Sequence, residues 1–148
     1  MNSYGVRAYR KTTVITADPG KLVLMCYGGA IDQLKIAKMK YQENDYEAKF
    51  KALTKATNLI DELLYSLDFE KGGTIAGNLE ALYNYMTNRI FLADVNRDIE
   101  GIEEVIGILT DLLSAWKEII AGQSRIMQPE SVEFNEERTR QASSNMRM

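Results

Sequence analysis

Chemistry near neutral pH needs side chains that exchange protons, bind metals or attack as nucleophiles, and this sequence is sparing with them. It contains no histidine, which excludes histidine-based triads, phosphohistidine relays and imidazole metal ligands. Cys26 is the only cysteine, so neither an intrachain disulfide nor a multi-cysteine zinc site can form. It lies in an apolar helical run and reads as a buried, inert thiol. Glu103 and Glu104 are adjacent and project about 100° apart on a helix, which suits a solvated face better than an acid–base pair. Asp94, Asn96 and Asp98 alternate as in a calcium loop, but Val105 stands where that loop needs its closing glutamate, so capping is the simpler role. Gly28-Gly29 is followed by no Gly-Lys-Ser/Thr and is not a phosphate loop; small residues there suit close helix approach. Gly72-Gly73 reads as a turn. No catalytic residue, metal site or cofactor is expected, and the chain reads as a binding protein, not an enzyme.

Four segments carry helical periodicity and none a sustained period of two. The first opens at Asp18-Pro19, a capping aspartate followed by a proline suited to the first turn, with the stripe Val23, Tyr27, Ala30, Leu34, Ala37 and Tyr41. The second spans about 45 to 67, with Tyr46, Phe50, Leu53, Thr57, Ile60, Leu64 and Leu67. The third spans about 73 to 94, with Ala76, Leu79, Tyr83, Met86, Ile90 and Ala93. The fourth spans about 98 to 121, capped by Asp98 and closed by a left-handed Gly122, with Ile99, Ile102, Ile106, Leu109, Leu113, Trp116 and Ile120. Helices of roughly 22 residues, about 33 Å long, joined by short connections give an all-α, antiparallel up-down four-helix bundle. The expected organisation is an N-terminal flap segment at 1–17, the bundle at 18–122, and a polar, mobile tail at 123–148 with a short charged helix near 134–141.

The helices carry more apolar residues than one seam requires. Off the main stripe lie Leu59 and Leu63 of the second segment and Val105, Ile108, Leu112 and Ile119 of the fourth. Part of this surplus widens contact between neighbouring helices. The rest fits a groove that a partner helix fills, because large exposed apolar patches usually mark interaction sites. Those six residues are the expected client contacts, and Tyr4 and Tyr9 are expected to belong to a displaceable N-terminal flap.

Hydrophobic residues form 45% of the chain and net charge is −3, which allows a core and provides no global attraction for nucleic acid or an anionic membrane. No run approaches the roughly 20 apolar residues of a membrane span, and Leu22 to Tyr27 is too short for a signal core. A soluble, cytoplasmic protein is expected.

The order of motifs resembles the flagellar secretion chaperone FliS family. Asn2-Ser3-Tyr4 and Ala8-Tyr9 are similar to its Asn-Pro-Tyr and Ala-Tyr elements. Thr16-Ala17-Asp18-Pro19, Leu22-Val23 and Met25-Cys26-Tyr27 are similar to its Thr-Ala-x-Pro-x-x-Leu-Val-x-Met-Leu-Tyr signature, continued by Gly29-Ala30-Ile31. Ser66-Leu67-Asp68, Gly72-Gly73-x-Ile75-Ala76-x-Asn78-Leu79, Leu82-Tyr83-x-Tyr85-Met86, Arg89, Glu104-Val105-Ile106, Leu109 and Ala115-Trp116 follow in order. Ser3, Cys26 and Gly28 depart from the usual proline, leucine and acidic residue. The resemblance covers about residues 2 to 121. It implies a cytoplasmic chaperone that holds the disordered C-terminal region of flagellin, prevents premature polymerisation and delivers it to the flagellar type III export gate. A helical adaptor for another protein, and a bundle whose off-seam stripes pair in weak self-association, are the other readings open at this stage.

Overall fold

The computed structural model describes the backbone of residues 19–127 and the side chains of 19–123. The flap residues Tyr4 and Tyr9, the expected cap Asp18, and the tail with its expected short helix lie outside the described residues. Among the described residues four helices follow one another: α1 (Pro19–Gln42), α2 (Tyr46–Tyr65), α3 (Phe69–Asn96) and α4 (Ile99–Met127). Among the described residues there is no strand.

The connections have identifiable local causes. α1 ends with Asn44 at φ 60°, while the Asp45 N–H reaches back to the Lys40 carbonyl at 2.9 Å. α3 ends in the same way, with Arg97 at φ 53° and the Asp98 N–H bonded to the Ala93 carbonyl at 2.8 Å. A left-handed residue followed by a bond across six residues satisfies carbonyls that the helix end would leave bare. The Arg97 guanidinium lies 5.5 Å from the centre of the Tyr46 ring, which ties this turn to the start of α2. Asp45 caps α2 by accepting the Ala48 N–H, and Asp68 caps α3 by accepting the Lys71 N–H, both at 3.1 Å.

Side-chain contacts give the topology. The Tyr27 and Tyr83 hydroxyls are hydrogen-bonded at 2.5 Å, and Tyr41 donates to Asp94. Both residue numbers rise together, so α1 and α3 run parallel. Lys49 near the start of α2 meets Asp94 near the end of α3 at 2.6 Å. Lys38 late in α1 meets Glu103 early in α4 at 2.8 Å. Arg89 of α3 meets Glu104 of α4 at 2.9 Å. Each of these pairs is antiparallel, as an up-down bundle requires.

The core follows the sequence stripes of α1 and α3 closely. Tyr27, Ala30, Leu34 and Ala37 are buried, as are Ala76, Tyr83, Met86, Ile90 and Ala93. Burial, and then the bond to Tyr27, hold the Tyr83 phenol above its ordinary range. α2 departs from expectation: Tyr46 and Phe50 are exposed, and Ala52, Ala56 and Leu63 are buried instead. The cause is angular. Phe50 and Ile60 are ten residues apart, which at 100° per residue puts them about 80° apart around the helix. A strict alternation of four and three drifts off the face of a straight helix. In α4, Val105, not Ile106, joins Ile102 and Leu109 in the core. Gly122 does not end α4, which continues to Met127 without a left-handed residue there. From Ser114 onward α4 belongs to a second compact unit, in which Trp116 and Ile120 are half-buried.

Close helix approach depends on particular glycines. A Cβ on Gly29 would stand 3.0 Å from Leu59 Cδ1, whereas one on Gly28 would meet nothing within 4 Å. A Cβ on Gly101 would stand 2.8 Å from Ala93 Cβ and 2.6 Å from Arg89 Nη1. Gly101→Ala is therefore expected to destabilise the bundle by about 1–3 kcal/mol through forced shifts. Gly107→Ala, with nothing within 4 Å, is expected to stabilise it by up to about 1 kcal/mol through helix propensity. Urea denaturation of the two variants checks the opposite signs, and a shared sign contradicts this packing.

Candidate functional site

An apolar groove of about 840 Å³ lies where α1 begins and α2 ends. Pro19, Leu22, Val23 and Cys26 form its α1 wall, spaced so that one face of the first two turns looks into it. Glu62, Leu63 and Tyr65 supply the last turn of α2. Ser66, Leu67 and Asp68 cross the connection, and Phe69 and Glu70 close the far side. Leu63 is 2% exposed and forms the floor, while Tyr65 and Phe69 at the rim are 73% and 50% exposed. Cys26 is buried in the wall.

Two local features shape the backbone around the groove. The end of α2 is finished by its own polar group, with Ser66 Oγ donating to the Leu63 carbonyl at 2.8 Å. α3 then begins at Phe69, four residues before the start expected from the sequence, because Asp68 caps an extra turn. That turn is broken from the rest of the helix at Gly73, whose φ of 51° and ψ of −124° are not helical. Without this break, Phe69 and Glu70 would follow the α3 axis. Gly72 lets the turn close down on the helix behind it, since a Cβ there would stand 2.9 Å from Ala76 Cβ.

The six contacts expected from sequence are dispersed. Leu63 lines the groove. Leu59 is half-buried, with its Cδ1 packed over Gly29. Val105 is 0% exposed and belongs to the core, so its off-seam position is corrected to a seam position. Ile108 and Leu112 are half-buried on α4, and Ile119, in the second unit, is 48% exposed. Sequence reasoning missed Tyr65 and Phe69. The available signal was two large aromatics on either side of the Asp68 cap, where a seam offers neither a partner.

The charged residues weighed for chemistry act as ties. Glu103 and Glu104 point to opposite neighbours, the first to Lys38 and the second to Arg89. Glu104 also accepts from the Tyr85 hydroxyl; that bond, followed by Arg89, holds its carboxyl below the usual range. Arg89 also donates to Asp98 at 3.1 Å. Asp94 is not a cap: it accepts from Tyr41 and Lys49 and so joins three helices. Burial, reinforced by Asp94, pushes the Tyr41 phenol above its ordinary range. Among the described residues no three carboxylates or thiols gather as a metal set, and no helix is long and apolar enough to cross a membrane.

The family model described as flagellar protein FliS matches residues 1–123 of the chain. The flagellar secretion chaperone FliS of Salmonella typhimurium is 42% identical over 120 residues, covering 78% of this chain and 89% of that protein. The FliS chaperone of Bacillus subtilis is 34% identical over 118 residues, covering 80% and 87%. That of Escherichia coli is 34% identical over 130 residues, covering 84% and 96%.

The groove geometry makes Gly73 sensitive for reasons of backbone, not space. A Cβ there meets nothing within 4 Å, yet its φ is one that L residues rarely adopt. Gly73→Ala is expected to cost about 1–3 kcal/mol, while the neighbouring helical Gly77→Ala, equally uncrowded, is expected to be neutral or stabilising. Thermal unfolding of both variants distinguishes the two cases.

Proposed function

This chain belongs to the flagellar protein FliS family, and from that premise we propose that it is a cytoplasmic export chaperone for flagellin. Its client is the disordered C-terminal region of flagellin, which folds as it binds. The chaperone masks the surface that would otherwise start a filament and hands the subunit to the flagellar export gate. The observation that supports client holding most directly is the apolar groove rimmed by the exposed aromatics Tyr65 and Phe69. Exposed aromatics beside an apolar pocket are typical anchors for a partner helix.

Coupled folding of this kind buries on the order of 1,000–3,000 Å² and loses roughly 2–5 kcal/mol to ordering. At about 25 cal/mol per Å² of apolar surface the gain exceeds that loss. Of the contacts read from sequence, Leu63 serves as groove floor, and Leu59, Ile108, Leu112 and Ile119 keep exposed surface for further client contact. Val105 has no free surface and takes no part. The action is binding, not catalysis, and release comes by competition or pulling at the gate. The N-terminal segment bearing Tyr4 and Tyr9 acts as a flap that the client displaces.

Titration with a peptide of the flagellin C-terminal region, followed by circular dichroism, is expected to give saturable binding with a gain of helix. The double variant Tyr65→Ser/Phe69→Ser removes exposed side chains, so the bundle stays folded; affinity is expected to fall at least tenfold, as two anchors of about 1–2 kcal/mol each require. Unchanged affinity in the folded variant removes the groove from the client site. Recovery from cytoplasm of some other protein in equimolar amount, without flagellin, favours the adaptor reading instead. Mass measurement with and without the peptide shows whether weak self-association competes.

Deleting residues 1 to 14 is expected to tighten client binding or raise nonspecific adhesion, because the flap no longer competes. Unaltered affinity and solubility count against the flap.

A further inference from the structure

The outer side of α1 carries apolar side chains where solvent would favour polar ones. Met25, Ile36 and Met39 are 37%, 36% and 47% exposed, and the exposed Asp32 and Lys35 lie among them. At 100° per residue this stripe is centred about 180° from the buried Tyr27, Ala30, Leu34 and Ala37, so it faces away from the other helices of the bundle. Gly28 belongs to the same stripe. A glycine inside a helix costs about 1 kcal/mol relative to alanine, yet a Cβ on Gly28 would meet nothing within 4 Å. Close packing among the described residues therefore does not call for it.

The stripe runs Met25, Gly28, Asp32, Ile36, Met39, with spacings of 3, 4, 4 and 3. That order is the same from either end. Two antiparallel copies of α1, related by a two-fold axis at Asp32, set Met25 level with Met39 and Gly28 level with Ile36 on both sides of the axis. Such reciprocity is what a symmetric interface between identical chains requires. Ile36 of one copy then enters the hole bounded by Met25, Gly28, Gly29 and Asp32 of the other, the four-residue hole that receives a knob in helix pairing. Its two glycines make the hole deep. Charge obeys the same symmetry. Two Asp32 carboxylates meeting at the axis would repel, but each lies beside the Lys35 ammonium of the other copy, and the four groups together are neutral.

We propose that the outer face of α1 is an interface for a second copy of this chain, paired antiparallel about Asp32. Pairing is independent of the client reading, since none of Met25, Gly28, Asp32, Lys35, Ile36 and Met39 lines the groove. The matched stretch from Met25 to Met39 is about 21 Å long, which places the dimer in the small-interface, weak class. The apolar residues supply the attraction, and Asp32 with Lys35 sets direction and register.

The test is sedimentation of the full chain at concentrations from about 0.01 to about 1 mM, the range that suits a weak pair. A reversible monomer–dimer equilibrium is expected. Asp32→Lys gathers four cations at the axis and Lys35→Asp gathers four carboxylates, so each variant alone is expected to pair at least tenfold more weakly. An equimolar mixture of the two variants is expected to pair at least as tightly as the unaltered chain, because each copy supplies the charge that the other lacks. That recovery is expected to shrink at about 0.5 M salt, where screening is strong. Both positions are exposed, so the bundle stays folded. If a reversal does not fold, Ile36→Gln/Met39→Gln is measured instead and is expected to weaken pairing at least tenfold. A chain that is monomeric throughout, a dimer untouched by the reversals, or a mixture no better than either variant alone overturns the proposal. Dimerisation only after deletion of residues 1 to 14 also overturns it and assigns the face to the chain's own start. Loss of flagellin-peptide binding in the reversed variants, with no change in mass, overturns it and assigns the face to the client.

Discussion

Tyr83 is buried almost completely, and its hydroxyl cannot be left without a partner at that depth except at a cost of about 1–3 kcal/mol. The Tyr27 hydroxyl, equally buried, meets it at 2.5 Å. This single bond sets the register of α1 against α3 at the centre of the bundle. With that register fixed, Tyr41 arrives at Asp94 and Asp94 at Lys49, so three helices share one polar joint near their common end. Neither joint favours one rotation of α4. That is settled by Gly101 against Ala93 and by Arg89 reaching both Asp98 and Glu104. The centre is thus held by a polar pair and the periphery by packing, with apolar layers of Leu34, Ile60, Met86, Ile102 and Leu109 between them.

How much of this could be read from the sequence depended on helix straightness. The stripes of α1 and α3 were legible almost residue by residue, since their buried residues keep near a 3.6 period. In α2 the apparent repeat of seven pointed at Phe50, and a straight helix carries that residue out of the core. Val105, read as a surface candidate, is a core residue, because Ile102 and Leu109 leave the flanking positions 105 and 106 equally placed and only the packing chooses between them. The caps at Asp45 and Asp68 were not read from the sequence, so the start of α3 was placed four residues late, and the glycines offered several roles each. Gly73 breaks a helix, Gly122 lies within one, and Gly101 makes room for a neighbour. The difference lies in what each glycine meets in space, which spacing along the chain does not encode.

The groove was the least legible part. Its walls come from the first turns of α1, the last turn of α2 and a turn before the main body of α3. Of the off-seam positions in the middle of helices, Val105 is taken up by the core, while Leu59, Ile108 and Leu112 are half-buried. Exposed apolar side chains occur within helices, as at Ile75 and Tyr85, and also where helices stop, as at Tyr65 and Phe69. At that second place the capping and turn chemistry that ends α2 and begins α3 is what positions the aromatic rim.

The break at Gly73 divides α3 into two parts. Behind it, α3 is anchored by Ala76, Tyr83, Met86 and Ile90, and any movement there disturbs the whole core. Ahead of it, Phe69 to Gly72 forms a turn closed on itself, with the Gly72 N–H bonded to the Asp68 carbonyl at 2.8 Å. The direction of Phe69 and Glu70 is thus decided by the backbone angles of one residue and not by the axis of the helix that follows.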